Sequence, residues 1–263
     1  MASYFGWDVA PSALLAFTPA IVMADGNFGV WYDPSDMSTM FQDAAGTIPV
    51  TADSQPVGRI NDKGPKGYHM TQSVAAARPI FRQLNGKRFL ETTTSGQHLA
   101  TAGNAPVDLT NCRGFLPFME TTEGVFSRPG SIGATGQNDA ATSMSLAIHT
   151  QTGSGLFGLR AQGGLLDPSI PGSGPTPLDN WEYYITPSEA GVLRAGGSLN
   201  VDNALNGQMS RSTGRLCMFE HMSSSGPNVD GQLIGRVYGW CHVGRTLTAT
   251  EITNMRNWFA SKI

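Results

Sequence analysis

Apolar residues in this chain fall in short runs separated by Gly, Pro, Asn, Asp and Ser, a spacing that predicts short strands joined by tight turns. Val30-Trp31-Tyr32 reads as the first strand, ended by Asp33-Pro34-Ser35-Asp36, where Pro sets φ and the Asp and Ser side chains accept from nearby amides. Residues 41–50 form a hairpin-like excursion, and residues 57–60 the next strand, closed by Asp62-Lys63-Gly64-Pro65-Lys66-Gly67. Two apolar runs flank Asn85-Gly86, the strongest short-range hairpin signal. Strands are expected at 115–119, 143–149, 155–160, 181–186, 191–194 and 215–221, with one long strand over 233–243 and the longest loop over 163–177. Turn chemistry at such short intervals predicts a two-sheet antiparallel sandwich.

The period changes at the end of the chain. Thr248 followed three residues later by Glu251 is a capping box, and Ile252, Met255 and either Trp258 or Phe259 then share a face. One short C-terminal α-helix is expected, its apolar stripe covering an edge or face of the sandwich.

Residues 1–28 stand apart as an apolar arm carrying Phe5, Trp7, Leu14, Leu15 and Phe17. Left in water it is an aggregation hazard. It either lies across its own sandwich or docks on a partner subunit through those five residues, and docking on a partner is the expectation. Pro11 and Pro19 interrupt it before the ~20 apolar residues that a membrane span needs, and it lacks a basic start, so neither a span nor a signal peptide is expected. The chain thus divides into the arm (1–28) and the sandwich domain (29–263).

Composition agrees with the pattern. Of 263 residues only 14% are charged, against ~25% in typical domains, while Gly numbers 32 and Pro 16. There is little material for long solvent-facing helices. A net charge of −3 with no basic run argues against nucleic acid and anionic membrane surfaces as partners. A polar but uncharged exterior fits either a surface that meets other subunits or simply a neutral one. Cys112, Cys217 and Cys241 cannot all pair within one chain and lack metal-site spacing, so reduced, buried thiols are expected, as in a protein assembled in a cytoplasm.

Several segments together resemble the laminin-G-like, concanavalin-A-like jelly-roll domains of bacteriophage and prophage structural proteins. They are residues 30–36 with the following 37–47, residues 56–64, Ala75-Ala76-Ala77-Arg78-Pro79, and residues 239–251 with Gly244-Arg245-Thr246-Leu247-Thr248. The similarity spans about residues 20–82 and 230–263. One departure is Gly64-Pro65-Lys66-Gly67, where the family commonly has a Ser-Gly-Asn-like turn. The resemblance implies a jelly roll, a place in the virion, and calcium as the cofactor to weigh, with Asp33, Asp36 and Asp62 as its candidate ligands. Since Asp33 and Asp36 already suit turn capping, the expectation is no metal site and no cofactor.

Catalytic chemistry finds little purchase. Glycoside hydrolysis needs two carboxylates facing each other at ~5–9.5 Å, and no alternating acidic set occurs; Glu120 and Glu123, three apart, do not share a strand face. No Gly-x-Ser-x-Gly elbow is present, and His69, His98, His149, His221 and His242 are scattered singly. The chain is therefore expected not to be an enzyme. A sugar platform is offered by Trp181, Tyr183 and Tyr184; on a strand the first two share a face and the third takes the other, and the competing reading places the first pair in the core. The functional expectation is a non-catalytic bacteriophage virion protein, decorating the capsid or held to the tail or fibre by its arm. It would be assembled in the bacterial cytoplasm with other virion proteins, as a homotrimer. The alternative is a carbohydrate-binding module that adheres to host surface polysaccharide.

Overall fold

The computed structural model describes residues 17–24, 26, 28–121, 126–133, 147–151, 156–161, 164–170, 179–187, 190–194, 200–202, 213–223, 226–228 and 232–263. Phe5, Trp7, Leu14, Leu15, Glu123 and residues 163 and 171–177 lie beyond them, and the segment expected as one loop over 163–177 instead contains the strand Gly164–Ile170. Among the described residues the fold is an all-β sandwich, with a nine-stranded and a seven-stranded antiparallel sheet and one C-terminal helix.

The larger sheet is organised by the strand Cys112–Glu120. On one side it pairs with Asp179–Ile185 from Asp179↔Phe118 to Ile185↔Cys112, followed outward by Ala190–Arg194 and Asn200–Asp202. Its other side is shared by two short strands. Trp240–Val243 brings in Gly29–Tyr32, and Gly235–Val237 brings in the hairpin Ile80–Leu84 and Lys87–Glu91. The second sheet runs Gly130–Gly133, Thr213–Met218, Leu99–Thr101, Met70–Thr71, Arg59–Ile60, Met40–Phe41, with Ala105–Pro106 added on Thr213–Met218. Two smaller sheets accompany these, a four-stranded one over Phe126–Ser127, Ala147–Gln151, Leu156–Ala161 and Gly164–Ile170, and the pair His221–Ser223 with Gly226–Asn228.

The Asn85-Gly86 hairpin forms as its sequence predicts. Leu84 pairs with Lys87, and Asn85 and Gly86 both have positive φ (51° and 78°), the backbone that a two-residue turn between twisted strands requires. The expected long strand over 233–243 is instead broken at Tyr238-Gly239. Pairing shifts by one residue there, from Val237↔Phe118 to Cys241↔Phe115. Pro117, facing the break, has no N–H to give to the ladder and only accepts, from the Tyr238 amide at 3.0 Å. The strand expected over 215–221 likewise ends at Met218, because Phe219 turns out of it with φ 76°.

Alternation sorts the side chains. Val30, Tyr32, Leu116, Phe118, Trp181, Tyr183 and Trp240 from one sheet meet Met40, Ile60, Met70, Leu99 and Leu216 from the other in a single core. Within it the Trp240 indole donates to the Tyr183 hydroxyl at 3.1 Å, and that hydroxyl lies 3.1 Å from Nδ1 of fully buried His242. A Cβ on Gly114 would overlap the Tyr183 ring, so only glycine leaves room for this group. Burial holds the His242 pKa down, to about 3. The three cysteines are free and buried, which pushes their thiol pKa values up; Cys217 and Cys241 sit on different sheets.

The helix Ala249–Ala260 starts on the expected capping box: Thr248 accepts from the Glu251 amide and Glu251 accepts from the Thr248 amide. Arg245, gripping the same carboxylate at 2.6 and 3.1 Å, is the main reason that the Glu251 pKa falls to about 2. Of the two aromatic residues weighed for the buried stripe, Phe259 is fully buried and stacks on Phe115 (5.8 Å), while half-buried Trp258 meets Trp31 edge-on (5.3 Å). The helix therefore covers the outer face of the larger sheet. The short 3₁₀ turn Pro19–Met23 packs into the same cluster, with Val22 and Met23 buried and Phe17 partly so. The described end of the arm thus lies on its own sandwich, and Phe17 packs against the chain's own cluster of turn, sheet and helix residues.

Three outcomes are expected. Gly114→Ala displaces Tyr183 and lowers stability by about 3 kcal/mol, read as a lower urea midpoint with loss of the near-UV aromatic signal. Met23→Ala opens a cavity under the helix and costs about 2–5 kcal/mol in the same measurement. Acid weakens the fold through two groups. The unfolded chain protonates His242 near pH 6.5 whereas the folded one resists until about 3, so stability falls across that window, by on the order of 4 kcal/mol. Glu251, depressed from 4.5 to about 2, contributes stability that is present above pH 4.5 and lost as pH falls toward 2. Urea midpoints measured from pH 7 to 3 should be flatter for His242→Asn, and an unchanged slope would remove His242 as the cause.

Candidate functional site

Three strands of the smaller sheet and one loop build a cleft. Arg59 pairs with Thr71, and Met70 with Thr101. Ile60, Met70 and Leu99 point into the core, so alternation turns Arg59 and Thr71 outward. The chain between Ile60 and Met70 is tied by the buried Asp62 carboxylate. One of its oxygens accepts from the amides of Trp31 (2.8 Å) and Gly64 (2.7 Å), the other from the amide of Tyr68 (3.0 Å). Burial outweighs these amides and pushes the Asp62 pKa up. Gly67 takes φ 69°, and the Tyr32 hydroxyl donates to the Tyr68 carbonyl at 2.5 Å.

Next along, the Asp62 amide donates to His69 Nδ1 at 3.0 Å. Nδ1 is thereby an acceptor, and the ring proton of neutral His69 resides on Nε2. Burial, with Arg59 nearby, lowers the His69 pKa, so the ring is neutral at pH 7. Arg59 is held by Asn61 Oδ1 (2.7 Å) and the Ala45 carbonyl (3.3 Å). The resulting open cleft has a volume of about 280 Å³ and is lined by Arg59, Tyr68, His69, Thr71, Thr101 and Asn104. It is slightly below the ~300–1,000 Å³ of drug-sized ligand pockets. A guanidinium, an imidazole N–H, an amide, a hydroxyl and a tyrosine ring converge here, and among the described residues no carboxylate lines it. Such a set binds a hydroxyl-rich ligand by hydrogen bonds and ring contact.

The aromatic residues anticipated as a sugar platform are placed elsewhere. Trp181 (0% exposed) and Tyr183 (1%) are core, Trp181 lying 5.6 Å from Phe118. Tyr184 (6%) lies on the opposite face under the Arg113 guanidinium, 5.3 Å away. Their strand is central in its sheet, and its outer face is covered too, by the helix and by charged side chains. Glu182, beside them, is gripped by Arg113 and by Arg256 of the helix (2.6 Å). The three aspartates weighed for calcium are also engaged: the Lys63 ammonium lies between Asp33 (3.3 Å) and Asp36 (2.8 Å), and Asp62 holds its three amides. No group of three or more potential metal ligands occurs among the described residues.

Two features have no signature in the sequence. Tyr68-His69 reads as an ordinary loop end until Asp62 fixes it, and the nearest hint is the unusual Gly64-Pro65-Lys66-Gly67 turn. His98 and Glu220, on different strands' ends, form a 3.0 Å pair, with Gln72 Nε2 2.9 Å from His98 Nε2.

No protein-family profile and no curated protein matches the chain. Solved structures do. A GH54 α-L-arabinofuranosidase mutant soaked with 4-nitrophenyl α-L-arabinofuranoside aligns at TM-score 0.61 and 14% identity, over 94% of this chain and 66% of that one. An arabinofuranosidase complexed with arabinofuranosyl-α-1,2-xylobiose aligns at 0.58 and 15%, over 94% and 65%. Trypanosoma rangeli sialidase in complex with sialic acid aligns at 0.54 and 10%, over 89% and 32%. The chain thus spans just under two thirds of the arabinofuranosidase chains and about a third of the sialidase. These likenesses overturn the expectation that the chain is not an enzyme: its sandwich is one that glycosidases contain, and a missing sequence pattern of carboxylates does not exclude catalysis on it. At such identities they show the fold alone.

The cleft depends on Asp62. Asp62→Asn turns an acceptor of the Tyr68 amide into a donor, costing about 1–3 kcal/mol. Amide hydrogen exchange at Gly64 and Tyr68 should quicken more than in the sheets, and uniform protection would contradict this role.

Proposed function

We propose that the chain binds carbohydrate through the Arg59–Tyr68–His69 cleft, as an adhesion module on a bacteriophage particle that meets host surface polysaccharide. The observation that carries the reading is the cleft's lining: fixed neutral and cationic donors around a tyrosine ring, on the outer side of a sandwich. The His69 tautomer, set by the Asp62 amide, presents an N–H donor, as a sugar hydroxyl or ring oxygen needs. The place on a virion, with a jelly-roll strand order and other virion proteins as neighbours, rests on the sequence resemblance at about residues 20–82 and 230–263. That the structural neighbours are carbohydrate-active proteins is compatible with the ligand class.

The test is a glycan array with the full chain, followed by titration of any hit against Arg59→Gln and Asn104→Ala. We expect bacterial surface saccharides among the hits, bound about tenfold more weakly by Arg59→Gln, a loss of roughly 1.4 kcal/mol. Arg82→Ala, outside the cleft, should bind as the parent does. An empty array, or hits that both cleft variants bind unchanged, would sink the reading. Product analysis of the same samples reads whether a bound glycan is also cleaved.

A further inference from the structure

A second pocket, of about 240 Å³, opens where three remote segments meet: the turn after the first strand, the tip of the Asn85-Gly86 hairpin and the end of the C-terminal helix. Its lining is Ser35, Gln83, Lys87, Arg88, Ser261 and Lys262, with Gly86 of the turn, and among the described residues no carboxylate. Lys87 and Arg88 are each aimed by one or two hydrogen bonds, and Lys262 by Ser35, Asp33 and the Trp258 ring. Lys87 donates to the Ser261 carbonyl (3.2 Å), and Lys262 to the Ser35 hydroxyl (2.7 Å). Arg88 donates to the Ser35 carbonyl (3.0 Å) and to Gln83 Oε1 (3.3 Å). An ammonium has three donors and a guanidinium five, so most remain for a ligand.

The local charge is unbalanced. Asp33 and Asp36 lie behind the pocket and are already paired with Lys63 at 3.3 and 2.8 Å, and Lys262 reaches Asp33 only at 3.8 Å. Lys63, Lys87, Arg88 and Lys262 thus make four cations against these two carboxylates. The Lys262 ammonium also sits 4.2 Å over the Trp258 ring. Burial is the first cause that holds its pKa below the ordinary lysine value; attraction to Asp33, the next in size, opposes it, and repulsion from Lys63 adds to it. An anion in the pocket would offset that repulsion.

We propose that this pocket binds an oxyanion, a phosphate or sulfate group, with Lys87, Arg88 and Lys262 as its charged ligands; Ser35 and Ser261, whose hydroxyls donate to Asp33 and to the Trp258 carbonyl, line it as acceptors that aim the cations. The guanidinium fork matches two oxygens of such a group, and the ammoniums act as point charges beside it. The proposal is independent of the carbohydrate cleft, with which it shares no residue.

The test titrates the full chain with inorganic phosphate at constant ionic strength, following calorimetry and the backbone amide signal of Gly86. Saturable binding is expected, with the Gly86 signal shifting in step, and affinity at least tenfold lower in the Lys87→Gln/Arg88→Gln double variant. Should that variant fold poorly, the wild-type Gly86 shift alone decides. Its absence, or a rise in melting temperature equal in both proteins, overturns the site, because phosphate stabilises proteins generally by exclusion from their surface. Glucose 6-phosphate and sulfated dextran, with plain dextran as control, distinguish the sources. Competition by the substituted sugars assigns the pocket to a charged group on a saccharide, and competition by inorganic phosphate alone assigns it to the free ion. Arg59→Gln should leave the inorganic-phosphate titration and its Gly86 shift unchanged, so that failure here and failure of the carbohydrate cleft are separable.

Discussion

The strand Cys112–Glu120 is the member on which the rest of the sandwich depends, because among the described strands it alone pairs with both wings of the larger sheet. Asp179–Ile185 lies along one edge, and on the other edge two short strands divide its length between them. One carries the first strand of the domain, the other the hairpin at residues 80–91. Pro117 makes that division possible. Lacking an N–H, it interrupts the ladder where the partner chain bulges, and the sheet can then branch instead of continuing as one ribbon. Gly114, three residues earlier, leaves the space that Tyr183 fills to reach Trp240 and His242. One nine-residue strand thus sets both the connectivity of the sheet and the polar centre of its core.

Sealing the outer face of that sheet is the work of the chain's two ends. The capped C-terminal helix and the Pro19–Met23 turn bury Phe115, Trp31, Cys241 and Val243, which alternation turns away from the main core. With both faces covered, the larger sheet has little open surface near its centre, which is why Trp181, Tyr183 and Tyr184 are interior residues. The smaller sheet differs. Its strands Arg59–Ile60 and Met70–Thr71 are two residues long, and the loop between them folds back as a wall rather than a cover. A buried carboxylate that gathers three amides holds this wall in place, a fixed scaffold of the kind that keeps binding groups in register.

The two sites proposed differ in their electrostatics. Around the cleft, a neutral histidine and a single tethered guanidinium suit hydroxyls. Around the second pocket, a local surplus of positive charge in a chain of net charge −3 suits an anion. Both lie where loops from distant parts of the sequence converge, as binding groups on a rigid sandwich commonly do. The likeness to arabinofuranosidases and sialidases shows the fold alone and leaves the chemistry to be decided at the level of residues.

The sequence by itself determined the features that arise from neighbours along the chain. Period-two runs and turn residues specify the strands, Asn85-Gly86 its hairpin, Asp33 and Ser35 their turn, and Thr248 with Glu251 the start of the helix, because each rests on contacts within a few residues. Tertiary structure decided what depends on pairing across long separations. The break in the 233–243 strand comes from Pro117 on another strand, and the covering of Tyr184 from Arg113, some seventy residues away in the chain. Asp62 becomes an organiser only when Trp31 and Tyr68 are brought to it. Lys87, Arg88 and Lys262 become a cluster only when the hairpin tip meets the helix end. A side chain's type is written locally, but its solvent exposure and its partners are set by what the fold places against it.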